Sequence, residues 1–461
     1  MKPGSKFAVA FAVALVVGGS LVVVALSRPP SGAASPEGPQ GPIVPATLTI
    51  SPRSHSIPST FYGVGIQLGT SLSSDSPSLL RSTPIVSLRY PDGSEGDATD
   101  LVNNTIYAPG YVNTTSSRVT LPEFIATCRA INCSAIVILP LEIDEPGTAA
   151  YEVRYIEDTL DFTPAYWELG NEPGGWTCFG TPWVDWATGC TGGTNATEYA
   201  AEVARYIAAI RPIDPDARFL GLGGTDGPEW ITPLEEEDGP QLAGISLHSY
   251  VDDLLPSTSD LSLSNFFAGL SASNSLPNLI ATSRAAILAA CSSCSTVIYF
   301  TEMESVSLGQ PLATYLPTFY NAVFFAAEMI QGLNSPATSI EPFTWESDVD
   351  GLITSQGPAP RYVVESTFLS RLGSIVAPAN VSFPGVYSTY ATTGSGGTEM
   401  LLVNTNVTDR VNVTLPEGSF GTSLPIDEWS WSSGDAAPVE SGVSNAASVL
   451  VPPLSIVLLD Q

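Results

Sequence analysis

Between residues 61 and 346 the chain alternates short β-branched runs with helix-like or loop-rich stretches, which leaves few folds open. Candidate strands lie at 61–69 (FYGVGIQLG), 85–90 (IVSLRY), 135–142 (AIVILPLE), 165–171 (AYWELGN), 218–224 (RFLGLGG), 243–250 (AGISLHSY), 296–303 (TVIYFTEM) and 339–346 (SIEPFTWE). Helical patterns fall between several of them, at 121–131, 148–159, 196–211, 279–291 and 313–332. Eight strands with α-type crossovers match a (β/α)8 TIM barrel, which typically takes about 250 residues. A doubly wound open sheet would want a Gly-rich phosphate turn after its first strand, and VGIQLGTS is not G-x-G-x-x-G.

The two ends read differently. From about Pro358, Ser, Thr, Gly and Pro punctuate short alternating strands such as EMLLVN (399–404), RVNVT (410–414) and SVLVPPLSIVLL (448–459), the pattern of an antiparallel β-sandwich. The run TLTISP (47–52) precedes the barrel and is expected to pair into that sandwich. The expected organisation is an N-terminal address at 1–26, a linker at 27–45, a barrel at 46–357 (46–58 belonging with the sandwich) and a sandwich at 358–461.

The address is Phe7 to Leu26, an apolar run without a charge, preceded by Lys2 and Lys6. At 1.5 Å per residue it just spans a bilayer's hydrocarbon core. No clean A-x-A follows it, which favours an uncleaved anchor over a removed signal peptide, and either places the body of the chain outside. Ser27 to Pro45 is a Pro/Gly/Ser-rich spacer. The cysteines fit export, forming three local pairs expected to close as Cys128–Cys133, Cys178–Cys190 and Cys291–Cys294. A zinc site is disfavoured, since the one C-x-x-C has no second pair at metal spacing and the chain has two histidines. Seven N-x-[ST] sequons (Asn103, Asn113, Asn132, Asn195, Asn380, Asn406, Asn412) suit a glycosylated exterior.

Charge narrows the partners. Lys+Arg 16 against Asp+Glu 46 gives a formal −30, and beyond Leu26 there are 14 arginines and no lysine. Such a surface repels phosphate backbones and excludes nucleic-acid binding. A halophile would carry a denser load of carboxylates. Working in acid is another reason to shed basic residues, because each becomes uncompensated once carboxylates protonate. An activity optimum below about pH 5 is therefore expected.

Barrel function sits at the carboxyl ends of the strands. There this chain offers Asn171 and Glu172 (WELGNEP), Glu302 and Glu304 (FTEMES), His248 and Tyr250 (LHSY), Arg89 (LRYPDG) and Trp345 (FTWES). Two carboxylates on separated strands facing one pocket are what glycoside hydrolysis requires: one protonated to assist the leaving oxygen, the other ionised to attack the anomeric carbon. Strand alternation cannot choose between Glu302 and Glu304, which share a parity. Glu168 lies deeper on the same face as Glu172 and reads as a structural carboxylate. His55 reads as structural, His248 as a pocket residue and Trp345 as a sugar platform, with core packing as the alternative. Trp176, Trp183 and Trp186 could line subsites.

WELGNEPGGW together with IYFTEMESVSLGQ resembles clan A glycoside hydrolases, and among them family 79, the heparanase and β-glucuronidase group. W-E-L-G-N-E-P matches that family's acid/base motif. T-E-M-E-S-V-S-L-G-Q stands where the family has roughly G-E-T-N-S-V-S-C-G-G. The resemblance implies Glu172 as acid/base, Glu302 as nucleophile, His248 and Tyr250 as subsite residues with Tyr250 donating to the nucleophile, and Arg89 near that carboxylate. Asn171 is expected to contact the sugar's 2-hydroxyl. Family 79 has Asn after the nucleophile where this chain has Glu304, and RFGG where it has RYPDG. The expectation is an exported retaining glycoside hydrolase acting on an oligo- or polysaccharide, with no cofactor or metal and with the membrane touched only by the N-terminal helix. A β-glucuronidase or heparanase-like activity is the first form. The alternatives are an arabinofuranosidase, xylosidase or endoglucanase, or a non-catalytic surface carbohydrate-binding protein.

Overall fold

The computed structural model describes residues 41–461 except 69–71, 107–118, 142–144, 176–194, 225–226, 251–260, 274, 308–309, 394–395, 421–422, 431–438 and 446. The expected anchor, most of the linker, the Asn113 sequon, Cys178, Cys190, Trp176, Trp183 and Trp186 lie outside the described residues. Among the described residues no helix is long and apolar enough to cross a membrane.

After strand β1 (Ile43–Ile50), eight parallel strands form one sheet in sequence order. They are β2 (Gly63–Gly65), β3 (Ser87–Tyr90), β4 (Ser134–Leu139), β5 (Tyr166–Leu169), β6 (Phe219–Gly224), β7 (Leu242–Tyr250), β8 (Val297–Glu304) and β9 (Ser339–Pro342). A parallel bridge between Tyr62 and Ile340 joins the last strand to the first, so the sheet closes into a (β/α)8 barrel. A strand buried on both faces reads as a nearly continuous apolar run, as SAIVIL of β4 does. All five expected helices are present. Four more, α1 (Ser76–Arg81), α5 (Pro228–Asp238), α6 (Leu263–Ala268) and α9 (Pro360–Val363), escape the sequence pattern because they are short or, in α5, acidic and interrupted by Pro233.

The C-terminal strands are β10 (Ile375–Val381), β11 (Val386–Thr392), β12 (Thr398–Asn404), β13 (Arg410–Thr414), β14 (Ser423–Ser430), β15 (Val439–Asn445), β16 (Ser448–Val451) and β17 (Ser455–Asp460). β1 joins them. Its first half, Ile43–Thr47, pairs in parallel with β13, and its second half, Leu48–Ile50, pairs antiparallel with β10. That parallel pair departs from an all-antiparallel sandwich.

Alternation along β12 and β17 shows how the sandwich meets the barrel. Met400, Leu402, Val457 and Leu459 enter the sandwich's own core with Leu48, Val411 and Val413. Leu401, Val403, Ile456 and Leu458 face the other way and share one core with helix α8 (Phe319–Leu333). Trp429 locks this seam, edge-on to Phe319 and stacked on Phe368. These strands read as unbroken apolar runs because both their faces are covered.

Cys128–Cys133 and Cys291–Cys294 are disulfide-bonded. Thiol titration of the denatured, unreduced protein should accordingly find no more than two reactive thiols, those of Cys178 and Cys190. Finding three or more would contradict the bonded pairs.

Candidate active site

The site sits at the carboxyl ends of β3, β5, β7 and β8. Arg89, on β3, is fully buried and engages four partners. Its Nε donates to Glu168 Oε2 at 2.6 Å, its Nη1 to Asp92 Oδ1 at 2.6 Å and Glu302 Oε1 at 2.7 Å, and its Nη2 to Asn171 Oδ1 at 2.7 Å. The planar fork of a guanidinium permits this, and a lysine would not. Four groups from three strand ends are thereby set around one cation.

Glu302 is 3% exposed. Tyr250 donates its hydroxyl to Oε2 at 2.7 Å, while Arg89 holds Oε1. Burial pushes this carboxyl up. The opposing charges of His248 and Arg89, with hydrogen bonds from Tyr250 and Arg89, outweigh it and bring the group below its ordinary value. Burial first, then the negative charges of Glu302 and Glu172, push the Tyr250 phenol well above 10, so it remains a donor.

Glu172 follows β5 in the left-handed backbone region, at φ 46°. A non-glycine residue held there is strained, and such strain gathers at functional positions. Its side chain is 36% exposed, unlike the buried Glu302. His248 Nδ1 lies 3.0 Å from Glu172 Oε1 and 3.4 Å from Glu302 Oε2. The three ligand atoms of Glu172, His248 and Glu302 all lie within 4.8 Å of one another. One histidine and two carboxylates could in principle hold a cation. Here both oxygens of Glu302 already accept from donors, one of them a guanidinium, which disfavours a metal.

Glu302 and Glu304, which strand alternation does not separate, differ in their partners. The β8 pairing shifts register between Phe300 and Met303, and that of β7 between Leu247 and His248. Such irregularities re-aim side chains beside active sites. Glu304 accepts from Asn321 and the Ser305 amide and pairs with the buried Arg361, away from Arg89. Burial pushes it up to about 7 against these partners. Glu304→Gln should therefore change thermal stability while leaving turnover at acidic pH within a few-fold of the parent. A collapse of kcat in that variant would move the nucleophile to Glu304.

Of the other expected residues, Asn171 is buried, its backbone N–H donating to Asp97 Oδ1 at 2.9 Å. Glu168 is fully buried and accepts from Thr301 as well as Arg89. His55 bonds the Leu333 carbonyl, far from the site. Trp345 is corrected: it is 1% exposed, donates its indole N–H to Ser76 and packs edge-on to Tyr362. With both faces covered it is part of the core and offers no sugar platform. Asp92 and Asp97 were missed. Asp92 stood in the quoted RYPDG motif, where its proximity to the arginine was the available signal.

No family model matches the chain. It is similar to an intracellular exo-alpha-(1->5)-L-arabinofuranosidase of Streptomyces lividans, 28% identical over 222 residues, covering 40% of this chain and 31% of that protein. The chain thus spans about a third of the length of the curated relative it matches. Among solved structures it resembles the GH51 arabinofuranosidase from Xanthomonas axonopodis pv. citri, with TM-score 0.70 and 15% identity over 91% of this chain and 99% of that one. It also resembles a glycoside hydrolase family 44 endoglucanase from Clostridium acetobutylium, with TM-score 0.65 and 12% identity over 90% and 99% of the two chains. At these identities the likeness shows one thing: the chain has the fold of these proteins, a (β/α)8 barrel carrying a β-sandwich.

Proposed function

We propose that the protein is a retaining clan A glycoside hydrolase. The observation carrying this reading is the pair of carboxylates bridged by His248, whose oxygens lie within 4.8 Å. Retaining enzymes hold their two carboxyls about 5–5.5 Å apart, whereas inverting ones need about 6.5–9.5 Å to admit a water. Glu302, ionised and supported by Arg89 and Tyr250, attacks the anomeric carbon. Glu172, the more exposed of the two, protonates the leaving oxygen and then deprotonates the water that releases the sugar. Arg89 fixes the Asn171 amide beside this centre for contact with the sugar's 2-hydroxyl.

The substrate class favoured is a neutral sugar, of the arabinofuranoside or glucan kind, in place of the uronide implied by family 79. The names of the similar proteins support this, as does the charge of the site. Its one arginine is saturated by four partners and is not left for a substrate carboxylate. Action outside the cell is supported by the apolar run Phe7 to Leu26 and by the two closed cysteine pairs.

A panel of aryl glycosides at acidic pH, spanning arabinofuranosides, xylosides, glucosides and glucuronides, tests the proposal. Hydrolysis with retention of configuration is expected, and glucuronides should be the poorest substrates. Inversion, or inertness across the panel, would overturn the enzymatic reading.

A further inference from the structure

A second set of ligand atoms gathers away from the active centre, between the end of α5 and the loop leading from helix α7 (Leu276–Ala290) into β8. That loop carries the one C-x-x-C, Cys291 and Cys294, which has no second pair at metal spacing in the sequence. The fold supplies a third group from another helix. A carboxylate oxygen of Glu235, on α5, and the two sulfurs all lie within 4.8 Å of one another.

Glu235 is 1% exposed, whereas both cysteines are half-buried and can be reached from solvent. Its Oε2 accepts from Thr296 Oγ1 at 3.1 Å, and its Oε1 meets no donor among the described residues. A buried carboxylate so poorly compensated is stable only when it holds a proton or meets a cation. Burial accordingly pushes it up to about 7 against the Thr296 hydrogen bond. Room beside it is left by Gly239, the residue that ends α5. A Cβ there would fall 2.6 Å from Glu235 Oε2 and 2.8 Å from Cys294 Sγ. The Gly239 backbone is right-handed helical, at φ −45° and ψ −42°, a conformation in which alanine is preferred. Glycine is therefore needed here for space and not for its conformational freedom.

We infer that Cys291, Cys294 and Glu235 form a redox-gated site for a thiophilic divalent cation of the zinc kind, closed while the cysteines are bonded and opened by a dithiol reductant.

The dithiol gives two electrons and two protons to the Cys291–Cys294 bond and leaves as its own disulfide. The cation then takes both sulfurs as thiolates and the Glu235 carboxylate, releasing the protons these groups held, with water as the fourth ligand. Two thiolates on a tetrahedral zinc, each about 2.3 Å from it, stand about 3.8 Å apart. Side-chain rotation reaches that separation from Cα atoms 5.4 Å apart. Two soft sulfurs with one carboxylate suit zinc or cadmium, whereas magnesium and calcium take oxygen ligands. The cation also does what the disulfide cannot. The disulfide joins residues three apart and leaves α5 untouched, while the cation ties α5 to the entry of β8, the strand that carries Glu302.

Cobalt(II), a coloured substitute for zinc, tests the site independently of any catalytic activity. The protein is reduced with a phosphine, which adds no thiol of its own, and titrated with cobalt near neutral pH without oxygen. One equivalent should bind with a thiolate-to-cobalt charge-transfer band, and zinc should bleach that band. Unreduced protein should show none. Reduced Cys291→Ser/Cys294→Ser should lose the band although it keeps Cys128, Cys133, Cys178 and Cys190. The cluster of Glu172, His248 and Glu302 has no sulfur and cannot produce it. Glu235→Gln, with both thiolates in place, should bind about tenfold or more weakly.

Absence of the band in the reduced parent would overturn the inference. So would a band that survives in Cys291→Ser/Cys294→Ser, or an unchanged affinity in Glu235→Gln. The first criterion uses the parent alone and stands even if the variants do not fold.

Discussion

Replacing Glu302 by alanine should abolish turnover on every substrate the parent accepts, lowering kcat by about 10⁴-fold or more, because no covalent intermediate can form. Glu172→Ala should behave differently. On glycosides with poor leaving groups it should lose about 10²–10⁴-fold, the range of a missing general acid. With an activated leaving group the intermediate still forms and then accumulates, since no base activates water. Azide, which needs no base, should restore turnover and give a glycosyl azide of retained configuration. Rescue of Glu302→Ala by azide with inverted product would fit the same assignment. Rescue patterns exchanged between the two variants would reverse the roles.

Thermal unfolding should shift to higher temperature as pH falls from 8 to 4, opposite to the behaviour of a protein held by surface ion pairs. Burial pushes Glu341 up to about 7, Glu235 to about 7, Asp238 to about 6 and Glu365 to about 8. For Glu365 and Glu341 burial outweighs the pull of an arginine, Arg361 and Arg89 respectively, and for Glu235 and Asp238 it outweighs hydrogen bonds from Thr296 and Gln241. The sign follows from linkage. A carboxyl whose folded value exceeds its unfolded value of about 4 binds its proton more tightly when folded, so its contribution is complete below pH 4. That contribution is lost as pH rises through about 6 to 8. Glu302 and Asp348 work in the opposite sense, being held below their ordinary values, but they are two groups against several. A rise in Tm on the order of 5 °C is expected, with several groups contributing. A maximum near pH 8, read by calorimetry, would contradict it and remove the structural support for a protein built for acid.

How much of this was legible in the residues depended on whether the signal was local. All eight barrel strands were readable because strands covered on both faces are dense in Val, Ile and Leu, as in SAIVIL. The strand-end motifs pointed to Glu172 and Glu302, whose carboxylates the structure brings to one histidine, His248. Trp345 was not, because nothing in FTWES says whether the ring faces solvent, and Ser76, which fixes its indole, lies 269 residues away. The fourfold engagement of Arg89 was equally hidden. Its partners come from the ends of β5 and β8 as well as its own loop, and only barrel closure brings them together. The partners that distinguish Glu302 from Glu304, Arg89 and Tyr250 for the first, Asn321 and Arg361 for the second, come from distant parts of the chain and leave no trace in TEME.

The placement of β1 has a consequence for how the protein must be made. This strand leaves the ribosome among the first residues of the folded body, yet both its neighbours, β10 and β13, are encoded more than 300 residues later. Until they emerge, β1 has open edges on both sides while the whole barrel is synthesised between them. A chain stopped after the barrel would keep that strand unpaired and leave the α8 face that packs on β12 and β17 bare. The barrel is therefore not a separable product. Translation has to reach the last strands before the first one is buried, so nascent chains interrupted near residue 357 should be the species that chaperones hold.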